Sequence, residues 1–333
     1  MASRRSNASR VILLVGVLVV LVAVLMVANA IQRRSSVTTI GIMQIIEHPA
    51  LDAAKKGFMD GLAEEGLVEG EDLKFESQSA QGDMATAQSI AQKFVGDKVD
   101  MILAIATPTA QAAAKATTTI PILITAVTDP VAAELVKSID HPGTNVTGTS
   151  DLTPVAKQLQ LLKQLVPTAQ TVGVIYNAGE TNSVVQVDLA RQAAAALGIE
   201  LVDATASSTS GVYEAAQSLV GRVDAIYVPT DNTVVSALES VIKVAEESKM
   251  PLVVGEEDGV KRGALATVGI DYYALGKQTA KMAVKVLREN AKPEEMPIEY
   301  QENVRMVINL KAAAKMGVTV PDSLIQEAYE VIR

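Results

Sequence analysis

The chain has 333 residues, 49% of them hydrophobic and only 3% aromatic, with no Trp and no Cys. That is enough for two domains with separate cores, and the missing Cys excludes disulfides, thiolate metal sites, a Cys nucleophile and lipidation at a processed N-terminal Cys. A net charge of −9 from 29 basic and 38 acidic residues, without a basic stripe, argues against a nucleic-acid partner.

The first 30 residues hold Arg4, Arg5 and Arg10 but no acid, and Val11 to Gln32 carries no charge. This apolar run is longer than a signal-peptide core of roughly 7 to 15 residues and close to the roughly 20 that span a bilayer. Ala28, Asn29 and Ala30 form an A-x-A cleavage pattern. A cleaved export signal and an uncleaved anchor both stay open, and each places the remainder outside the cytoplasm. A buried core helix is excluded because the segment has no polar face.

Short β-branched runs then predict strands at 39–45, 73–76, 99–106, 120–127, 171–176, 200–204, 223–229, 251–255 and 265–270. Nearly all are apolar on both faces, as in parallel sheets covered by helices. Helical periodicity fills the intervals: Leu51, Ala54, Phe58 and Leu62 share one face, and Val155, Leu159, Leu162 and Val166 share another. Thr153 and Pro154 are expected at the N-cap and first turn of that second helix, with Pro167 beyond its end. Gly198 is expected to close a helix running from about 182 to 197.

The order repeats. AQKFVGDKVDMILAIAT from Ala91 is echoed by AQSLVGRVDAIYVPTD from Ala216, TIGIMQ from Thr39 by TVGVIYN from Thr171, and IPILITA from Ile120 by MPLVVGE from Met250. The fold class expected is α/β, with two doubly wound parallel-sheet lobes, a central cleft and a preceding apolar helix. The first lobe is expected at 38–147 plus 271–292 and the second at 148–270 plus 293–333. The crossings fall near Pro142–Pro154, near Ile270 and in AKPEEMP from Ala291.

In open α/β sheets, ligands sit beyond the carboxyl ends of the strands, facing helix N-termini. The repeat sets Thr107 against Asp231, and Gln44 against Asn177, at such ends. Thr and Asp are also plain N-caps, so the coincidence at both edges is what makes them site candidates. Thr107 at a helix start suits a carboxylate and Asp231 suits an ammonium, which together describe an amino acid. Asn177, Glu180 and Asn182 come from the polar loop YNAGETNS, which also reads as a solvated turn. Glu47 and His48 precede a helix begun by Pro49, and His48 reads as a surface residue. Asp271 ends a strand, where it could cap the next helix or enter the cleft, while Thr125 and Asp129 are second-tier candidates. No nucleophile elbow, Walker loop, dinucleotide fingerprint or H-E-x-x-H is found, and no cofactor is expected.

Gln44, Glu47, Thr107, TDP from Thr128, NVTG from Asn145, YN from Tyr176, PTDN from Pro229 and DYY from Asp271 carry a family likeness. From about Thr39 to the C-terminus the chain resembles the ABC-transporter substrate-binding proteins of the tryptophan- and tyrosine-binding type, within the type I periplasmic-binding fold. The resemblance implies two lobes joined by three crossovers, no catalysis, a small amino-acid-like ligand and delivery to an ABC permease in the membrane. A monomer is expected. Such relatives are often lipoproteins, and this chain departs from them in lacking the Cys. Tyr176, Tyr227 and Tyr272 are expected near strand ends, where they could stack on an aromatic ring. Two other readings remain: a membrane-anchored ligand sensor, and an enzyme using Glu180 and Asp231 on a polar metabolite.

Overall fold

A computed structural model describes residues 37–301 and 303–333; the apolar segment at 11–32 lies outside them. The chain begins with β1 (Thr38–Gln44), in which Ile40, Ile42 and Met43 are all fully buried. Burial on both faces is what a parallel strand between two helical layers requires. After it come α1 (Pro49–Glu64), β2 (Leu73–Ser79), α2 (Met84–Gly96), β3 (Met101–Ile105), α3 (Thr107–Ala116), β4 (Ile122–Val127) and β5 (Val146–Ser150). The second unit runs α4 (Val155–Leu165), β6 (Thr171–Tyr176), α5 (Thr181–Ala196), β7 (Glu200–Thr205), α6 (Val212–Gln217) and β8 (Ala225–Val228). It continues with α7 (Asn232–Ser236), α8 (Leu238–Ser248), β9 (Leu252–Val254), α9 (Glu257–Arg262) and β10 (Ala266–Gly269). Then follow α10 (Tyr272–Glu289), β11 (Glu299–Tyr300), β12 (Arg305–Asn309), α11 (Leu310–Lys315), α12 (Asp322–Glu327) and β13 (Glu330–Ile332).

The first sheet has the order β11-β5-β4-β3-β1-β2 and the second β13-β12-β10-β9-β8-β6-β7. Strands β1 to β5 and β6 to β10 therefore lie in the same doubly wound order, and among the described pairings only β10 with β12 is antiparallel. Each sheet has its own core of Val, Ile, Leu and Ala. The duplication reaches single contacts. A Cβ on Gly41 would lie 2.5 Å from the Phe94 ring, and one on Gly173 2.4 Å from Leu219. Gly41 and Gly173 hold matching places in the echoed strands, and Phe94, in α2, and Leu219, in the turn just after α6, hold matching places in the echoed segments, so each glycine admits one bulky side chain onto its sheet.

The chain crosses between sheets three times; the first crossing falls within the expected Pro142–Pro154 stretch but past the lobe boundary set at 147/148, and the third falls later than expected. Val146–Ser150 pairs with β4, so a boundary at 147/148 would fall inside a strand of the first sheet, and the first crossing follows Ser150. VTGTS lacks the apolar run that marks the other strands. Gly148, at φ +140 with Ile124 O 2.1 Å from where its Cβ would be, lets β5 pass close to β4 at a bulge. The return crossing lies between β10 and α10, whose Leu275, Ala280, Met282 and Ala283 enter the first core. Glu299–Tyr300 still pairs with β5, so the third crossing falls between Tyr300 and Arg305, later than AKPEEMP.

Helix α10 is fastened to α1 by glycines on both partners: a Cβ on Gly57 would lie 2.0 Å from Tyr273 O, and one on Gly276 2.0 Å from Ala54 O. Lys277 bonds Glu64 and Tyr273 OH bonds Asp60 at the edge of this seam. Because backbone, not a flexible side chain, fills the space, Gly276→Ala is expected to lose about 3 kcal/mol of stability. Urea unfolding of the variant measures this, and an unchanged midpoint would contradict the seam described.

Candidate binding site

The carboxyl ends of both sets of strands converge on one narrow, nearly filled hollow with a free volume of about 10 Å3. From the first unit it is lined by His48, Ala50 and Leu51 at the start of α1, by Ala126 and Thr128 around the end of β4, and by Asp151 after β5; Tyr272 opens α10. Asn182, Thr230, Asp231, Asn232, Val235 and Glu256 face them from the second unit. Ala126 adopts φ +56, an uncommon conformation for a residue with a Cβ. It sits where the β4–β5 register shifts.

The wall is acidic. Asp151 accepts hydrogen bonds from Thr128 Oγ1 at 2.9 Å and Tyr272 OH at 2.7 Å. Asp231 caps α7, its Oδ1 accepting from Val234 N at 2.7 Å and its Oδ2 from Asn177 N and Ser183 Oγ, both at 2.6 Å. Glu256 is 1% exposed, and neither of its carboxylate oxygens has a hydrogen-bond partner among the described residues. Neither Lys nor Arg lines the hollow; its one basic side chain is His48, whose two ring nitrogens are likewise unpartnered. At the start of α1, Pro49 has no N–H, and the amides of Ala50 and Leu51 belong to the turn that a helix cannot satisfy internally.

Several candidates reach this hollow or its rim. Asp231 and Asn182 line it, and Asn182 Oδ1 is buried without a partner. Glu180 is tied to Asn232 Nδ2 at 2.5 Å and to Thr233 Oγ1 at 2.8 Å. With Asn177 it lines an adjoining hollow opposite Ile45, Met84 and Pro108.

The other candidates do not line this hollow. Thr107 is the first residue of α3 rather than its cap, which is Ala106 at φ +80, so it does not match Asp231; its hydroxyl is buried without a partner. Gln44 donates to Ile46 O and Asp52. Thr125 meets Thr149 inside the first core, and Asp129 turns back to the amides of Val131 and Ala132. Glu47 is exposed. Asp271 caps α10 and pairs with Arg305 at the crossings, away from the hollow. Of the tyrosines only Tyr272 lines it: Tyr176 bonds Asp203, and Tyr227 bonds Gln158. Thr153 is not a cap, since Pro154 holds that place and the Thr153 hydroxyl has no partner.

The sequence expectation took His48 for a surface residue and did not single out Asp151 or Glu256. His48 is buried, because α9 packs against α1 beside it, and is not a surface residue. For Glu256 the signal was present: the echo of IPILITA in MPLVVGE sets it opposite Ala126, and both line the hollow.

Burial, reinforced by the charge of Asp258, pushes Glu256 up to about 7. Burial and then the Glu180 charge push Asp231 well above the usual carboxylate range. Burial also raises Asp151, and it lowers His48 to about 4 with help from the Arg262 charge. The carboxyls hold their protons more tightly folded than unfolded. Their stabilising contribution is therefore full below the unfolded value of about 4 and lost as pH rises through about 7. The ligand-free protein is expected to have a higher urea midpoint at pH 5.5 than at pH 8; the reverse order would contradict this electrostatic description.

Residues 39–332 match the family described as ABC transporter substrate binding protein. A tyrosine-binding protein of Clostridioides difficile is 49% identical over 270 residues, 81% of this chain and 78% of that protein. The structure of an ABC domain in complex with L-Trp from Streptococcus pneumonia is 38% identical, covers 89% of this chain and all of its own, and superposes with a TM-score of 0.86. A ligand-free, open structure of a substrate binding protein with adhesive properties from Clostridium difficile is 46% identical, with 89% and 99% of the two chains covered, yet its TM-score is 0.67. The more identical chain superposes less well, so the two units here are arranged as in the L-Trp complex and not as in the open protein. More distant structures, 13 to 17% identical, share the fold alone, among them a glucose-galactose binding protein from Geobacillus stearothermophilus and the transcription regulator CcpA of Lactococcus lactis. With its duplicated sheets, its shared acidic hollow and this match over nearly all of its described length, the chain belongs to the ABC transporter substrate-binding proteins, a family of binding proteins and not of enzymes.

Proposed function

We propose that this chain is the extracytoplasmic component of an ABC importer, and that it captures an aromatic amino acid, tyrosine or tryptophan, between two closing lobes. One observation carries the reading: a single hollow is built half from each unit, has an acidic wall without Lys or Arg, and meets the unsatisfied amides of α1. An amino acid complements such a surface. Its ammonium answers the carboxylates, and its carboxylate answers a helix N-terminus, where backbone N–H groups and the helix dipole favour negative charge.

Leu51, Ala126, Val235 and Tyr272 supply apolar surface for the side chain, and an aromatic ring against Tyr272 adds about 0.5–1.5 kcal/mol beyond burial. The names of the relatives, one tyrosine-binding and one solved with L-Trp, support the same ligand class. Closure is driven by contacts that exist only when both lobes meet the ligand. The closed protein then presents its cargo to a membrane permease.

The apolar run from Val11 delivers the protein across the membrane, as a cleaved signal or as an anchor that takes the place of the missing lipid-bearing Cys. The mass of the mature chain distinguishes these, since a start at Ile31 identifies cleavage and an intact Val11–Ala30 segment identifies anchoring.

Calorimetry against the common amino acids tests the ligand class. L-tyrosine or L-tryptophan is expected to bind at least about tenfold more tightly than leucine, the difference that about 1.4 kcal/mol of ring contact gives. Failure of both aromatic amino acids to bind would contradict the proposal.

A further inference from the structure

We propose that Glu256 is the residue that reads the ligand's ammonium group, and that its partnerless burial makes closure over an empty cleft unfavourable. This rests on the amino-acid reading above and goes beyond it by assigning the charge recognition to one side chain.

Three carboxylates face the hollow, and their hydrogen bonding separates them. Asp231 is saturated by Asn177 N, Ser183 Oγ and Val234 N, all from its own unit, so it braces the end of β8. Asp151 is held by Thr128 and Tyr272 within the first unit. Glu256 alone has both oxygens free of partners while being almost completely buried and lining the hollow. The amides of Gly259 and Asp258 at the start of α9 lie close enough to favour its charged form, but neither is placed to make a capping hydrogen bond to it, and burial outweighs them. Lys261 reaches back to Asp258, and Arg262 is committed to Glu239 and Val235 O. Among the described residues no cation is bonded to Glu256; the Arg262 charge favours its ionised form, but the Arg262 guanidinium itself is bonded to Glu239 and Val235 O.

A buried carboxylate without a counter-charge is costly, and native proteins rarely leave such oxygens unpaired. A primary ammonium, with three donors and a positive charge, supplies what is lacking. The same shortage acts on the lobes. Glu256 belongs to the second unit, while His48, Ala50, Leu51 and Tyr272 on the first close over it. Closing without a cation shuts the carboxylate away from water, whereas closing with one completes its bonding. Closure is thus conditional on cargo.

The experiment compares L-tyrosine with 3-(4-hydroxyphenyl)propanoate, which is tyrosine without its amino group, on the wild-type protein and on Glu256→Gln. Wild type is expected to prefer tyrosine by at least about 100-fold, in line with a charge-assisted hydrogen bond to a buried carboxylate. In Glu256→Gln the preference is expected to shrink to under about tenfold, mainly because tyrosine binds more weakly. Glu256→Gln is isosteric and removes an unpaired buried charge, so its melting temperature is expected to equal or exceed that of wild type. The wild-type comparison of the two ligands needs no variant at all.

A preference unchanged in a folded Glu256→Gln protein overturns the assignment while leaving the amino-acid reading intact. So does equal binding of the two ligands by wild type. Binding of neither tyrosine nor tryptophan by wild type overturns the amino-acid reading, and the assignment with it.

Discussion

A carboxylate can be shut away from water only if something positively charged or hydrogen-donating is shut away with it. The interior of this molecule is arranged around that constraint. Asp231 and Asp151 satisfy it with groups of the protein, through amides and hydroxyls on the same lobe as each. Glu256 does not. The contrast gives three chemically similar side chains different roles: two stiffen the strand ends, and the third leaves a charge for the solute to complete. Binding and closure then become one event, because the contact that retains the ligand is also the one that makes the closed arrangement tolerable.

The scaffold gives that event its geometry. Two sheets whose first five strands share one order point their carboxyl ends at each other, so the start of α1 on one unit and Asp231 and Glu256 on the other meet across a narrow gap. Three crossings connect them. At two of these, Arg305 of β12 joins Asp271 at the cap of α10 to Glu257 on α9, while its guanidinium stacks on Tyr329 at 4.6 Å. A charged fastening beside the crossings can persist while the far sides of the lobes separate. The close fit of α10 on α1, set by Gly57 and Gly276, ties the returning helix to the first lobe.

Much of the fold was legible in the sequence, for a simple reason. Parallel strands buried on both faces leave uninterrupted β-branched runs, and a duplicated unit states its order twice, so β6 begins and ends where the pattern of Thr171–Tyr176 predicts. β5 escaped because its threonines bond within the first core and Gly148 supplies its fit; neither property leaves an apolar run. The short edge strand β11 escaped for want of length, which displaced the third crossing. At the site, strand ends were the right places to look, but hydrogen-bond saturation cannot be read from residue type. Asp231 is a good cap and is consumed as one, Thr107 sits one residue inside its helix, and Glu256 was hidden in the acidic stretch GEED, which reads as solvent-exposed. Its match to Ala126 in the echo was the one mark that set it apart.

The most direct test is a crystal structure of the protein with L-tyrosine bound. The ligand's ammonium nitrogen is expected within about 2.7–2.9 Å of a Glu256 carboxylate oxygen, the separation of a charge-assisted bond, with both lobes in contact with the ligand. An ammonium directed elsewhere, with Glu256 turned to the amides of Asp258 and Gly259, would contradict the claim that the solute completes this charge.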